Sequence, residues 1–422
     1  MHKVKVSPRK LSGTVSVPPS KSAAHRAIIC ASLARGKSVI KPIDLSNDIT
    51  ATIECMRNLG AEISLDGSVL TVDGRNMFQN KTAELDCGES GSTLRFLIPV
   101  AAAGSISARF VGHGKLPERP IGVYTDCLPP KGVECRTQGG LPLVISGSLQ
   151  SGIYEIPGDI SSQFITGLLL ALPLLKGDSE IRLTSPAQSV GYINMTINTM
   201  REFGIEVEAA KNGWKIKGSQ KYQAHDCTVE GDWSQAAFFM TAASLGEEII
   251  IDNLSTASAQ GDKECVNIYK RFGADITETH GNIIIRPGKL HGIEINAADI
   301  PDAVPVLSVA AALAEGRTVI KGAARLRIKE CDRLAAMTDG LTRLGAKISE
   351  TADGLIIDGV KTLSGGEVEG YNDHRIVMSL AVAAVRCEGE ITISDMESVK
   401  KSYPSFFEDY VKLGGKADVV MG

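Results

Sequence analysis

Two kinds of apolar pattern alternate along the chain, separated by short Ile/Val runs. The stretch from residue 293 to residue 346 shows both. Residues 293–295 read as a strand, 301–314 as a helix, 318–320 as a second strand and 331–344 as a second helix, before two further short strands. The second helix carries Leu334, Met337, Leu341 and Leu344 three and four positions apart, which predicts a surface helix with one apolar face. The first is apolar nearly all round, through Val306, Leu307, Val309, Ala310, Ala311, Ala312 and Leu313, which predicts a helix enclosed by its neighbours.

This strand-helix-strand-helix-strand-strand unit recurs. Glycines closing the small-residue helices fall at Gly36, Gly104, Gly177, Gly246, Gly316 and Gly389, at intervals of 68, 73, 69, 70 and 73. Those closing the amphipathic helices fall at Gly60, Gly132, Gly204, Gly273, Gly345 and Gly414, at intervals of 72, 72, 69, 72 and 69. The two ladders agree on six units, and glycine suits the left-handed residue that ends a helix. Six units exceed one core, so two groups of three are expected, with the polar stretch 219–226 as the crossing between them.

With 422 residues, 43% hydrophobic and 22% charged, the composition is that of a globular protein. A net charge of -4 gives no field that would draw nucleic acid or an anionic membrane, so an anionic ligand must be held by cations gathered locally. The nine cysteines show neither a C-x-x-C pair nor a Cys/His spacing suited to zinc, and read as reduced thiols. The N-terminus lacks a signal pattern, and the longest apolar run, 376–385, is too short to span a bilayer. A cytoplasmic protein without metal or cofactor, and a monomer, is expected.

Candidate chemistry collects where the small-residue helices begin. The first opens at Ser20-Lys21-Ser22, where either serine can cap and leave backbone N–H groups for an anion, with His25 and Arg26 following. The second opens through Gly88-Glu89-Ser90-Gly91-Ser92, before Arg95, a turn that lets a ligand approach the backbone closely. The third opens at Ser161-Ser162-Gln163, the fifth near Asp302 and the sixth at Asp373-His374-Arg375. The run Arg325-Leu326-Arg327-Ile328-Lys329-Glu330-Cys331-Asp332-Arg333 reads equally as a solvated ion-pair face or as a clamp for phosphate and carboxylate.

Eight ordered motifs resemble the 5-enolpyruvylshikimate-3-phosphate synthase family over essentially the whole chain. They are Pro19-Ser20-Lys21-Ser22 with Arg26, Ser90-Gly91-Ser92 with Arg95, Pro117-Glu118-Arg119-Pro120-Ile121, Ser161-Ser162-Gln163-Phe164, Ile300-Pro301-Asp302-Ala303, Arg327-Ile328-Lys329-Glu330 with Asp332-Arg333, Asn372-Asp373-His374-Arg375, and Lys401-Ser402-Tyr403-Pro404. The resemblance implies an α/β fold of two inside-out α/β barrel domains, each of three βαβαββ units: 14–227, and 228–422 joined by 1–13. It implies transfer of the enolpyruvyl group of phosphoenolpyruvate to the 5-hydroxyl of shikimate 3-phosphate. Shikimate 3-phosphate would be held by Lys21, Ser22, Arg26, Ser161, Ser162, Gln163, Ser189, Tyr192, Asp302 and Lys329. Phosphoenolpyruvate would be held by Lys21, Gly91, Arg119, Gln163, Arg333, Arg375 and Lys401, arginine being suited to bidentate pairing with carboxylate and phosphate.

Asp302 is the expected base for the hydroxyl and Glu330 the expected group exchanging the methylene proton, with Lys21 its rival. Two positions depart from the family pattern: Glu89 stands where Asn is usual, and Arg325 where some members use Asn for a sugar-like hydroxyl. Gly91 leaves room for a compact phosphonate such as glyphosate. The rival readings are a UDP-N-acetylglucosamine enolpyruvyl transferase, whose loop cysteine has no counterpart in 112–119, and a non-catalytic anion-binding repeat protein.

Overall fold

The computed structural model describes residues 2–279 and 281–421. They divide into two compact units, one formed by the chain up to Pro18 together with the chain from Glu230, the other by Pro19–Val229. The second contains helices α1 (Lys21–Leu33), α2 (Asn47–Asn58), α3 (Gly91–Ala103), α4 (Gly122–Cys127), α5 (Ser162–Ala171) and α6 (Val190–Glu202). The first contains α7 (Trp233–Leu245), α8 (Cys265–Phe272), α9 (Val304–Ala312), α10 (Arg333–Arg343), α11 (His374–Ala383) and α12 (Phe406–Lys412).

The odd-numbered helices are the small-residue ones, and they are central. Every residue of α7, α9 and α11 is buried, and these three pack on one another. In the other unit α3 packs on α5, and α1 packs on α2 and α6. Even-numbered helices bury one stripe, as α10 does with Leu334, Ala336, Met337 and Leu341. Each unit has its own apolar core. The expected helix 301–314 divides: Pro301–Ala303 is a 3-10 turn, and α9 follows from Val304.

The strands form six four-stranded sheets with one repeated order. In the fifth unit Glu294–Asn296 runs parallel to Arg317–Lys321, which pairs antiparallel with Gly354–Asp358, itself flanked by Lys347–Thr351. Two sheets borrow a strand from a distant part of the chain. Gly13–Ser16 immediately precedes α1, yet pairs with Ile249–Asp252 of the fourth unit. Cys227–Thr228 precedes α7, yet pairs with the first unit's Lys37–Lys41, in register Cys227 to Ile40. His2–Ser7 completes the sixth sheet between Ile391–Ile393 and Lys416–Met421.

These pairings place the passages between units at Pro18–Pro19 and Val229–Glu230, so a boundary between residues 13 and 14 runs through a strand. The polar stretch 219–226 belongs to the unit of residues 19–229. Its Tyr222 is buried and donates to the Leu170 carbonyl at 2.9 Å.

The two glycine ladders have different physical causes. All six members of the amphipathic-helix ladder take left-handed φ, from 79° at Gly204 to 113° at Gly60. In the other ladder that reason applies to Gly316, whereas Gly104 sits at φ -77° and Gly246 at φ -120°. Space governs there: a Cβ on Gly104 would lie 2.4 Å from the Phe78 ring, and one on Gly177 would lie 2.4 Å from Ser151 Oγ.

Candidate active site

In the unit of residues 19–229, Ser20 rather than Ser22 caps α1, accepting from the Ala23 N–H at 3.4 Å. Lys21 and Ser22 therefore occupy the first turn, and Lys21 Nζ donates to Asp48 Oδ2 at 2.6 Å, at the start of α2. One turn on, the buried Arg26 reaches α6. It donates to Thr196 Oγ1 at 2.8 Å, to the Ser22 carbonyl at 2.6 Å and to the Tyr192 carbonyl at 3.0 Å, with its guanidinium over the Phe96 ring. Burial lowers its pKa to about 10, so it stays charged at neutral pH. Ser189, buried at the start of α6, holds a left-handed φ of 55°.

The openings of α3 and α5 are tied together by polar side chains. Arg95 donates to Gln163 Oε1 at 2.6 Å and to the Pro120 carbonyl at 2.9 Å, while Gln163 Nε2 donates to Ser92 Oγ at 3.0 Å. Ser161 caps α5, accepting from the Gln163 N–H at 3.3 Å, and leaves Ser162 and Gln163 in the first turn. Gly91 begins α3 against the buried Arg119: a Cβ there would lie 2.8–2.9 Å from that guanidinium. Glycine is needed at this position for close approach.

Beneath these groups a buried relay of hydroxyls joins three helices. His25 Nδ1 lies 2.7 Å from Thr52 Oγ1, which is 2.7 Å from Thr93 Oγ1, which donates to Ser90 Oγ at 2.7 Å. Burial, with Lys21 and Arg26 adding to it, pushes the His25 pKa well below the usual histidine range, so the ring is neutral.

In the other unit the organising group is Arg333, at the first position of α10. Its guanidinium donates to Asp373 at 2.7 and 3.2 Å, to Asp302 at 2.9 Å and to Glu330 at 2.8 Å. Burial opposes its charge, but the fields of Asp373, Glu330 and Asp302 outweigh burial and hold its pKa well above the ordinary arginine value. Lys329 Nζ lies 3.4 Å and Arg375 Nη2 3.9 Å from Asp302, so three cations surround that carboxylate. Arg375 donates to Ser234 Oγ at 2.7 Å and to the Ser234 carbonyl at 3.0 Å.

Asp373 also caps α11, accepting from the Arg375 N–H at 2.8 Å. The turn leading into it is strained: Tyr371 and Asn372 are non-glycine residues at φ 53° and 49°. That turn presents the Asn372 carbonyl to Lys401 Nζ, 2.6 Å away and nearly buried.

The run 325–333 divides between the two readings its charges allowed. Arg327 pairs with Asp332 and Glu350, both at 2.7 Å, as a peripheral ion pair, whereas Lys329 turns towards Asp302 and Arg333 towards Glu330, Asp302 and Asp373. Arg325 donates to the Ala298 carbonyl at 2.5 Å. Glu89 packs against Gly114 in the loop 112–119 and leaves the Ser90 cap intact.

Thus Lys21, Ser22, Arg26, Gly91, Arg119, Ser161, Ser162, Gln163, Ser189 and Tyr192 lie at or beside helix openings in one unit. Asp302, Lys329, Glu330, Arg333 and Arg375 form a connected polar cluster in the other, where Lys401 donates to the carbonyl of Asn372, the residue before Asp373. Asp48, Asp373, Thr196 and Ser234 escaped the sequence reading as partners of these residues. Asp373 alone carried a signal, an acid at a helix opening two positions before an arginine.

Buried arginines and lysines at repeated helix openings, facing a small number of acids, make an enzyme acting on small anionic substrates. Residues 6–410 match the sequence model of EPSP synthase (3-phosphoshikimate 1-carboxyvinyltransferase). A 3-phosphoshikimate 1-carboxyvinyltransferase of Clostridium perfringens (strain 13 / Type A) is 48% identical over 98% of this chain and 99% of its own length. One from Clostridioides difficile (strain 630) is 46% identical over 99% of each chain. The solved structure of EPSP synthase from Acinetobacter baumannii superposes with a TM-score of 0.84 at 29% identity, covering 100% of both chains. The chain belongs to the EPSP synthase family.

Proposed function

We propose that the chain carries out the reaction of this family, with the cation and acid clusters described in its two units as the groups that serve it. That reaction is transfer of the enolpyruvyl group of phosphoenolpyruvate to shikimate 3-phosphate, with release of phosphate, in the shikimate pathway of aromatic biosynthesis. Shikimate 3-phosphate is assigned to Lys21, Ser22, Arg26, Ser161, Ser162, Gln163, Ser189, Tyr192, Asp302 and Lys329. Phosphoenolpyruvate is assigned to Lys21, Gly91, Arg119, Gln163, Arg333, Arg375 and Lys401.

The observation that carries the assignment is Arg333, buried and bonded at once to Asp302, Glu330 and Asp373. In the proposed step Asp302 accepts the proton of the 5-hydroxyl as that oxygen attacks C2 of phosphoenolpyruvate. Lys329, Arg333 and Arg375 lie around Asp302 and fix the position of its carboxylate. C3 takes a proton from Glu330, or from its rival Lys21, giving a tetrahedral ketal; the same group then takes a proton back from C3 as the C2–O bond to phosphate breaks, which restores the double bond and releases phosphate. Arginine and lysine side chains held in fixed geometry stabilise the charge gathering on the departing phosphate, and need little reorganisation to do so.

The chain is proposed to act as a monomer. The described residues include no helix long and apolar enough to cross a membrane, and the nine cysteines are free thiols, in keeping with a reducing, cytoplasmic setting. Phosphate release is the test: it should require phosphoenolpyruvate together with shikimate 3-phosphate. Release with UDP-N-acetylglucosamine instead, or with neither acceptor, would overturn the reading.

A further inference from the structure

Glu202, His225 and Cys227 play no part in the chemistry above, yet their ligand atoms, one from each residue, all lie within 4.8 Å of one another. Glu202 is the last residue of α6, His225 lies in the polar stretch after it, and Cys227 begins the strand that pairs with Lys37–Lys41. We propose that these three side chains form a site for a zinc-class divalent ion that pins the end of α6 to this strand.

The donor set selects the metal. Thiolate, imidazole and carboxylate together suit zinc, and cobalt as its substitute, whereas magnesium and calcium demand oxygen ligands throughout. Metal-ligand bonds of about 2.0–2.3 Å in a tetrahedron put donor atoms about 3.5 Å apart, so separations of up to 4.8 Å must close by about 1.3 Å at most. Glu202 and His225 are exposed, while Cys227 is buried, so two surface ligands close on one anchored ligand. The fourth position is left to water, as in open zinc sites.

The surrounding backbone is stiff. The His225 N–H donates to Ser38 Oγ at 3.1 Å, Asp226 Oδ1 accepts from the Val39 N–H at 2.8 Å, and Cys227 is in register with Ile40. The His225 ring stands edge-on to Phe203, with centroids 5.8 Å apart, which limits its orientations. Burial, with Glu202 and Asp226 adding to it, pushes the Cys227 thiol up to about 12; a divalent ion would supply the opposite field. Sequence spacing could not reveal the site, since two ligands stand two residues apart and the third is on a helix 23 residues earlier.

The test is titration of the reduced, chelator-treated full chain with cobalt(II). One equivalent should bind with a thiolate-to-cobalt charge-transfer band and the intensified visible bands of tetrahedral cobalt, and zinc should displace it. Cys227→Ser should abolish the charge-transfer band. His225→Asn and Glu202→Gln, both at the surface, should weaken binding tenfold or more, while Cys387→Ser in the other unit should bind as the parent does. At a hundredfold excess over the dissociation constant, zinc should raise the thermal midpoint by about 5 °C in the parent and not in His225→Asn. Absence of the band at stoichiometric cobalt, its persistence in Cys227→Ser, or an equal zinc-induced shift in His225→Asn would overturn the proposal.

Discussion

Replacing Asp373 by Asn tests whether the Arg333 cluster is a single interacting system. Asp373 is fully buried and receives two of the four short contacts made by the Arg333 guanidinium, at 2.7 and 3.2 Å. Asparagine keeps an oxygen that can still cap α11, but removes the charge and turns an N–H donor towards the guanidinium. Removing one member of a buried ion pair destabilises by about 3–5 kcal/mol. Asp302 and Glu330 remain on Arg333, so the low end, about 3 kcal/mol, is expected.

The assay is urea unfolding followed by the fluorescence of Trp233, which is buried in α7 of the same unit. Asp373→Asn, Arg333→Met and the double variant complete a cycle. Once the arginine is gone, loss of the Asp373 charge should matter less, and the double variant should be more stable than the summed losses predict by about 2 kcal/mol, within the range found for contacting residues. The unfolding slope should stay unchanged, as it does when stability alone changes. Single losses that add to within about 0.5 kcal/mol would refute the view that Asp373 and Arg333 act as one unit.

Asp302→Asn and Glu330→Gln should each lower turnover about 10²-fold or more while shifting substrate binding far less; near-normal turnover in both would remove them from the proton-transfer roles. Gly91→Ala puts a methyl within 2.9 Å of the Arg119 guanidinium, which lies at the end of a flexible side chain, so the fold should survive and the guanidinium should shift. The Michaelis constant for phosphoenolpyruvate should then rise and inhibition by glyphosate weaken, each roughly tenfold or more, as expected for one displaced charge-assisted bond; superimposable inhibition curves would refute the steric argument. His25 is held neutral, with a pKa well below the unfolded value of about 6.5, so the unfolded chain binds the extra proton. Its unit should therefore lose stability as pH falls below about 6.5, by up to about 1.4 kcal/mol per unit, and His25→Gln should flatten that slope between pH 6.5 and 5; an unaltered slope would show that other groups produce it.

The repeat was legible because its cause is local. A helix that must stop and reverse needs a left-handed residue, and all six glycines of the amphipathic-helix ladder supply one. The small-residue helices were equally readable as central, since a helix apolar on every face has nowhere to go but inside. What could not be read was pairing over long separations. Nothing about Gly13–Ser16 or Cys227–Thr228 announces that each joins the sheet of a unit far along the chain, because a parallel pairing leaves no mark on either strand alone. The site was legible to the same depth. Helix-opening residues could be named one by one, but whether Arg327 or Arg333 faced inwards depended on the turn between them, where residues 324–328 form a 3-10 segment. Asp48 stayed hidden because its partner, Lys21, lies 27 residues away.

Why the chemistry gathers at the beginnings of the central helices, not at their ends, follows from what a buried helix leaves unfinished. Its first N–H groups lack partners inside the helix and carry partial positive charge, so the opening of an enclosed helix must be met by a cap, an acid or an anion. Ser20, Ser90, Ser161, Asp232 and Asp373 are those caps in five of the six central helices. The sixth, α9, has no side-chain cap and places Asp302 in the 3-10 turn before it. The Asp302 carboxylate is the one that Lys329, Arg333 and Arg375 surround. In Asp373 the cap and the ion pair are the same group. Asp373, fully buried, caps α11 and holds Arg333 by two contacts, which marks it as the support of the cluster, whereas Asp302, partly exposed and ringed by three cations, is the candidate for chemistry.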